Sequence, residues 1–330
     1  MMTLFLTTLL KPDTYVWLLM ALMAVLSIGV LMLWIFGRRK WLKWICTFVV
    51  VLGWYILLYG TYVGVAHIEV RQVEFSSKDL PEAFDGYRIV QFSDLHIGSF
   101  TGWREQILKD VIDSINAQKG DLIVFTGDLQ NKMPKEIVPF RELLAKLKAK
   151  DGIISVLGNH DYPMYVKDEV DEIQQAMNMN TLISEEEELG WCLLTNSYRR
   201  IRRGDERIYI AGMENDGEGY YPQRGEINEA LIGLNRQAFI VMLEHDPTSW
   251  RRKILPHSHC QLTLSGHTHG GHFSMFGWSP AMFRYREWGG MHYVGERAMN
   301  VSTGVGGVVP IRFGVTPEIV VVTLKKAKEN

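Results

Sequence analysis

The sequence predicts an α/β domain, built on a mixed sheet or on two sheets packed face to face, behind a pair of membrane-crossing helices. Two long uncharged apolar runs fill most of the first 66 residues. From Ile68 onward, short runs rich in Ile and Val alternate with amphipathic stretches, the pattern of strands and crossover helices. The first three of those short runs are each followed at once by Asp, Asn or His close to Gly or Ser.

Tyr15–Phe36 is 22 residues without a charge, and Trp44–Ala66 is 23. Each is long enough to cross a hydrocarbon core of about 30 Å at about 1.5 Å per residue. Between them, Gly37–Lys43 carries Arg38, Arg39, Lys40 and Lys43, and Trp and Tyr gather near the run ends, as suits the interfacial zone. The first run is too long for a secretory signal, and a second span follows at once. Residues 1–67 therefore read as a two-helix anchor and 68–330 as one domain. The positive-inside rule places the basic loop in the cytoplasm, which makes this a multi-pass cell-membrane protein with its large domain on the extracytoplasmic side. The apolar stretch Met1–Leu10 is a candidate for a partial extra segment. A net charge of −2 gives no reason to expect a nucleic-acid partner. Of three cysteines, Cys46 lies in an apolar run, leaving Cys192 and Cys260 as the one conceivable pair.

In the domain, Tyr87–Phe92, Leu122–Phe125 and Ile153–Leu157 read as buried strands. Trp103–Ala117 and Lys135–Lys148 read as the helices between them, the second opened by Pro134. This β-α-β-α-β start implies parallel strands with right-handed crossovers. Trp191–Thr195, Arg207–Met213, Ala238–Leu243, Gln261–Leu264, Tyr293–Ser302 and Ile319–Leu324 follow as further strands. Fewer helices separate them, hence the mixed sheet or second sheet.

In an open α/β sheet, ligands bind where the carboxyl ends of the strands meet. Ser93-Asp94-Leu95-His96 follows the first strand, Thr126-Gly127-Asp128 the second and Gly158-Asn159-His160-Asp161 the third. Glu244-His245-Asp246 and Gly266-His267-Thr268-His269-Gly270-Gly271 follow later strands in the same way. In the last cluster, two imidazoles at i and i+2 share one side of an extended segment. Together these oxygen and nitrogen donors suit Mn, Fe, Zn or Co. They are too many for one four-coordinate zinc and about enough for two metals sharing a carboxylate.

In this order, the five clusters resemble the calcineurin-like metallophosphoesterase family, in its membrane-associated bacterial branch. The resemblance runs from about Tyr87 to the C-terminus, where Gly304-Val305-Gly306-Gly307 and Pro310-Ile311-Arg312 look like that branch's closing segment. It implies a four-layer α/β/β/α sandwich. It also implies that Asp94, His96, Asp128 and His269 hold one divalent ion. Asp128 would bridge to a second, held by Asn159, His245 and His267. His160 would be the catalytic histidine and Asp161 the carboxylate that orients it. The implied reaction is cleavage of a phosphoester, a phosphodiester or pyrophosphate more than a monoester, by hydroxide shared between the metals, with His160 protonating the leaving group. The branch commonly has Gln where this chain has His272, which leaves that position either an added donor or a turn residue without a role.

Phe273–Tyr293 is rich in aromatics and Met, and reads as a hairpin on the core or as a lip that meets lipid. Arg199–Arg203 reads as a hairpin tip between strands, and Glu185–Glu188 as a solvated helix end or loop. Trp103 and Arg104 follow the first cluster and are candidates to border the substrate. The expected partners are the lipid bilayer and a phosphorylated small molecule or lipid-linked substrate. Two other functions fit the same letters. One is a lipid-precursor pyrophosphatase of the UDP-diacylglucosamine type at the cytoplasmic leaflet, which needs the opposite topology. The other is a tethered metal-binding protein without turnover, against which the intact Gly-Asn-His-Asp argues.

Overall fold

The computed structural model describes residues 11–166 and 170–327; the stretch Met1–Leu10 lies outside them. Helix α1 spans Pro12–Phe36 and α2 spans Lys40–Tyr59, continuing as a π-helical turn over Gly60–Gly64. They pair as a hairpin, with Trp54 Nε1 donating to Ser27 Oγ at 3.0 Å and Trp34 Nε1 to Thr47 Oγ1 at 2.9 Å. Both are long and apolar enough to cross a membrane. Their other faces are bare, with Trp17, Phe36 and Phe48 exposed. The second helix starts at Lys40, so two of the loop's four cations sit in its first turn.

Twelve strands among the described residues form two six-stranded sheets. The first runs in the order β1 (Glu69–Ser77), β12 (Glu318–Lys326), β2 (Arg88–Phe92), β3 (Leu122–Phe125), β4 (Ile153–Ser155), β5 (Trp191–Leu193). β2 to β5 are mutually parallel, and β12 enters antiparallel to β2 and parallel to β1. The second runs β10 (Gly290–Val294), β11 (Arg297–Val301), β9 (Leu262–Ser265), β8 (Ile240–Leu243), β7 (Glu206–Gly212), β6 (Ser197–Arg203).

Alternation along the strands makes the layers. On β2, Ile89 points into the core between the sheets, with Leu122, Val124, Val241 and Leu264, while Val90 and Phe92 point outward. There they meet Ile107, Leu108, Val111, Ile112 and Ile115 of α3 (Glu105–Ala117), apolar at helical spacing. The outer face of the second sheet is covered by Ala230, Trp250 and Ile254. The result is the four-layer α/β/β/α sandwich. Beneath the site, Gln91 ties the sheets together, donating to Ser265 O at 2.8 Å and accepting from Asn300 Nδ2 at 2.8 Å.

Several local expectations change. Lys135–Lys148 breaks into 3-10 turns at Pro134–Glu136 and Val138–Phe140 and a single turn, α4 (Arg141–Leu144), because Pro139 has no N–H to continue a helix. Tyr293–Ser302 is a hairpin, β10 turning at Gly295 into β11. The arginine run is strand rather than tip: Arg199–Arg203 lies within β6, an edge strand whose outward charges discourage further pairing. β1 escapes the sequence because Glu69, Arg71, Gln72 and Glu74 interrupt its apolar residues and leave neither face uniformly apolar. Glu185 and Glu186 are buried, not solvated, on α5 (Glu172–Glu188), where Glu185 pairs with Arg141 and Glu186 with Ser155 Oγ.

Candidate metal centre

The loops after β2, β3 and β4 on one sheet and after β8 and β9 on the other meet along one edge of the sandwich. The chain has to turn sharply there to aim side chains inward. Asp94, His96, Asp128, His267 and His269 all have φ between 45° and 74°. Left-handed backbone at a residue other than glycine costs on the order of 1 kcal/mol or more, and such strain gathers at functional sites. Close approach adds a second demand. At Gly158 a Cβ would lie 2.2 Å from Asp128 Oδ1, so no other residue leaves room for that carboxylate.

Two groups of donors result. One ligand atom from each of Asp94, His96, Asp128 and His269 lies within 4.8 Å of the others, and the same holds for Asp128, His245 and His267. Asp128 belongs to both, its Oδ2 lying 3.4 Å from His96 Nε2 and 3.3 Å from His245 Nε2. Asn159 joins the second group, its Oδ1 3.2 Å from His245 Nε2 while its Nδ2 donates to Tyr165 O–H at 2.8 Å.

Hydrogen bonds on the far side of the rings decide which nitrogens look inward. His245 Nδ1 lies 2.7 Å from Thr126 O, which fixes the proton there and turns the Nε2 lone pair on Asn159 and Asp128. His267 Nε2 lies 2.9 Å from Tyr285 O–H and 3.4 Å from Asp246 Oδ2, leaving Nδ1 facing His245 Nε2 at 3.2 Å. His96 and His269 oppose Nε2 to Nε2 at 3.2 Å. Lone pairs converging in this way repel unless a proton or a cation lies between them, so the donor set fits divalent ions. The electrostatics agree. Burial alone raises Asp128, but His245, His160 and His96 outweigh it and hold the carboxyl far below the usual range. His245 is pushed well up, Asp128 overcoming the cost of burial, so a proton there does the work a cation would do. Asp94, with less positive company, is raised by burial to about 6.

His160 borders the first group, its ring edge-on to His96 at 4.6 Å and stacked on Tyr165 at 4.0 Å. Its Nδ1 meets Asn131 O at 2.8 Å, and burial lowers its pKa. Asp161 was expected to orient that ring, and here the structure differs. Its carboxylate accepts from the backbone N–H of Asp128 and Gly158 at 2.8 Å and of Leu129 at 2.9 Å. In the 3-10 turn Asn159–Asp161 the two side chains diverge, so Asp161 fixes the loop that carries Asp128 while Asn131 O holds the imidazole. His272 is in neither donor group. It stacks on His269 at 4.8 Å and bonds to Ile311 O at 3.1 Å.

Asn131 and Tyr165 were not singled out from sequence, Tyr285 only as one member of the aromatic stretch Phe273–Tyr293, and the role of Arg312 not at all. The Arg312 guanidinium is buried, donating to Thr303 O at 2.8 Å and His269 O at 3.2 Å. Its own N–H donates to Gly60 O at 3.0 Å, at the foot of α2. Only its place in the Pro310-Ile311-Arg312 tail signalled it.

Comparison with known proteins is consistent with this geometry. Residues 87–271 match the family model described as calcineurin-like phosphoesterase. The chain is 31% identical over 280 residues to the uncharacterized metallophosphoesterase YkuE of Bacillus subtilis, covering 81% of this chain and 89% of that one. It is 28% identical over 279 residues to an uncharacterized metallophosphoesterase of Aquifex aeolicus, covering 82% and 97%. A transmembrane protein with metallophosphoesterase domain from Danio rerio is 27% identical over 282 residues, covering 82% of this chain and 61% of its own. The chain belongs to the calcineurin-like phosphoesterase family, and is a phosphoester hydrolase.

Proposed function

We propose that this chain is a membrane-anchored hydrolase using two divalent cations, with residues 1–67 as anchor and 68–330 as catalytic domain. Phosphodiester or pyrophosphate bonds are its substrates in preference to monoesters. The observation that carries this is Asp128, one buried carboxylate common to both donor groups. Asp94, His96, Asp128 and His269 would hold one cation, and Asp128, Asn159, His245 and His267 the other. When bound, such a pair polarises a phosphoryl group and activates water near neutral pH. The ligand set contains only two carboxylates, so an anionic phosphoester completes the charge balance.

In the reaction the oxygen of water bonds to phosphorus and gives up one proton to solvent, the bond from phosphorus to the leaving oxygen breaks, and that oxygen takes up a proton. His160 gives the proton. With Nδ1–H held by Asn131 O and the ring packed on Tyr165, Nε2–H of the imidazolium is the group that transfers it, and the charged form is reached when an anionic phosphoester offsets the burial that lowers the pKa. Asp161 keeps the Asp128 loop in place without touching the imidazole.

His160→Asn should leave two metals bound and lower kcat most for alkyl leaving groups and least for nitrophenolate. An equal loss on every substrate would remove His160 from that role. Asp128→Ala should abolish both metal binding and turnover, and full activity in that variant would end the proposal. The basic loop between α1 and α2 supports a reading with the sandwich outside the cytoplasm. Protease added to intact spheroplasts should therefore digest it.

A further inference from the structure

We propose that residues 275–283 dip into the interfacial layer of the bilayer that holds α1 and α2, and that the metal centre acts on phosphoester groups of lipids lying in that layer. The chemistry rests on the phosphohydrolase reading above; the placement does not.

The segment begins and ends on the site. His272 stacks on His269, and Tyr285 bonds to His267. Between them, Met275 and Trp278 bridge across a two-residue turn made of Phe276 at φ 55° and Gly277 at φ 79°. Two positive φ values make this the tight hairpin turn that Asn-Gly normally fills. A phenylalanine there is strained, and its ring gains nothing from the rest of the chain, being 98% exposed. Phe283, edge-on to Trp278 at 5.8 Å, is 82% exposed, and Met275, Trp278 and Met282 are about half so. Strain spent on holding an aromatic ring in the open implies an apolar occupant outside the chain.

The foot of this loop rests on the anchor. Phe273 stacks on Phe313 at 5.6 Å, and Phe313 packs edge-on against Tyr55 at 6.2 Å and Tyr59 at 5.7 Å, near the sandwich end of α2. The other loop of the first donor group reaches the same level. Trp103, half exposed, stacks on Tyr62 at 5.8 Å, and Arg104 pairs with Asp13 of α1 at 2.8 Å. Two loops flanking the donor groups thus lie against the sandwich ends of both membrane helices. The tyrosines and tryptophans there form the aromatic belt typical of an interface. Arg284 and Arg286 follow Phe283 directly, and Arg286 is largely exposed, which suits anionic headgroups. The occupant is therefore the bilayer itself.

The full chain in nanodiscs of phosphatidylethanolamine and phosphatidylglycerol tests this in two arms. With Cys46→Ser and Cys192→Ser in both, a nitroxide is placed at Phe276→Cys or at Glu296→Cys. Glu296 is at the tip of the β10–β11 hairpin, away from the site and largely exposed. The label at 276 should be relaxed more by oxygen than by a nickel chelate, and the label at 296 the reverse. Water-like relaxation at 276 overturns the placement.

In the second arm, Phe276→Ser/Phe283→Ser is compared with the native chain on two nitrophenyl phosphodiesters, with Mn²⁺ supplied. One is bis-p-nitrophenyl phosphate, and the other carries dioleoylglycerol and is presented in vesicles. The double variant should lose at least tenfold on the lipid diester and keep its rate on the soluble one. Unchanged rates on both, or equal losses on both, overturn the substrate class. If the native chain turns over neither diester while the label at 276 reports lipid, the phosphohydrolase reading falls and the placement stands.

Discussion

At His267 the two ring nitrogens meet different partners, and that division sets the tautomer. Tyr285 O–H and Asp246 hold Nε2, so the Nδ1 lone pair faces the cluster. Tyr285→Phe should therefore weaken binding of one of two cations about tenfold. Metal analysis under a graded chelator would show one ion leaving early and the other unaffected. Simultaneous loss of both, or no change, would contradict the assignment. All seven proposed ligands could be read from the letters because each follows a strand whose apolar run announces its own end. Tyr285 could not, since its reach to His267 is set by how an irregular loop packs. The placing of Asp161 differs from what the resemblance implies for a related reason. Adjacency in sequence says nothing about where two side chains point in a 3-10 turn, and here one seeks backbone amides while the other faces the site.

Among the elements, α5 has the weakest signature and the most telling contact. Its apolar positions are few, and a run of four glutamates near its end reads as solvated. Yet Glu186 is buried against Ser155 of β4. Burial raises its pKa to about 8, so it is protonated in the fold at neutral pH. A carboxyl raised above its unfolded value makes the native state the better proton binder. Its contribution is complete below about 4.5 and is lost as pH rises through about 8, each unit between being worth about 1.4 kcal/mol. The native Tm should fall across that window, and Glu186→Gln, which keeps the shape and stays neutral, should flatten the fall. Identical curves for the two proteins would show Glu186 to be charged in the fold. The other elements were legible to the extent that they bury one clean face. α3 and strands β2 to β4 do. β1 and β6 carry charge on a half-exposed face, and Lys135–Lys148 has the right spacing but a proline inside it.

Across the whole molecule, the helical hairpin and the sandwich are joined through a close backbone contact. A Cβ on Gly64 would fall 1.8 Å from Arg312 O, and Arg312 reaches from there to His269 O. Gly64→Val should push the tail off the foot of α2 at a cost of about 1–3 kcal/mol. Metal occupancy should fall with it, since the guanidinium that steadies His269 shifts. Unfolding in detergent, followed beside metal content, would register both, and a variant with native occupancy would uncouple the helical hairpin from the site. The helices themselves were plain in the sequence, but this junction was not, because it joins segments some 250 residues apart. The place of β12 carries one more consequence. It lies between β1 and β2, and is made more than 200 residues after either of them. Until it appears, the first sheet has a gap between β1 and β2 that nothing earlier in the chain fills. Closure therefore waits until β12 itself has been made, and the facing edges of β1 and β2 stay open to other pairing until then.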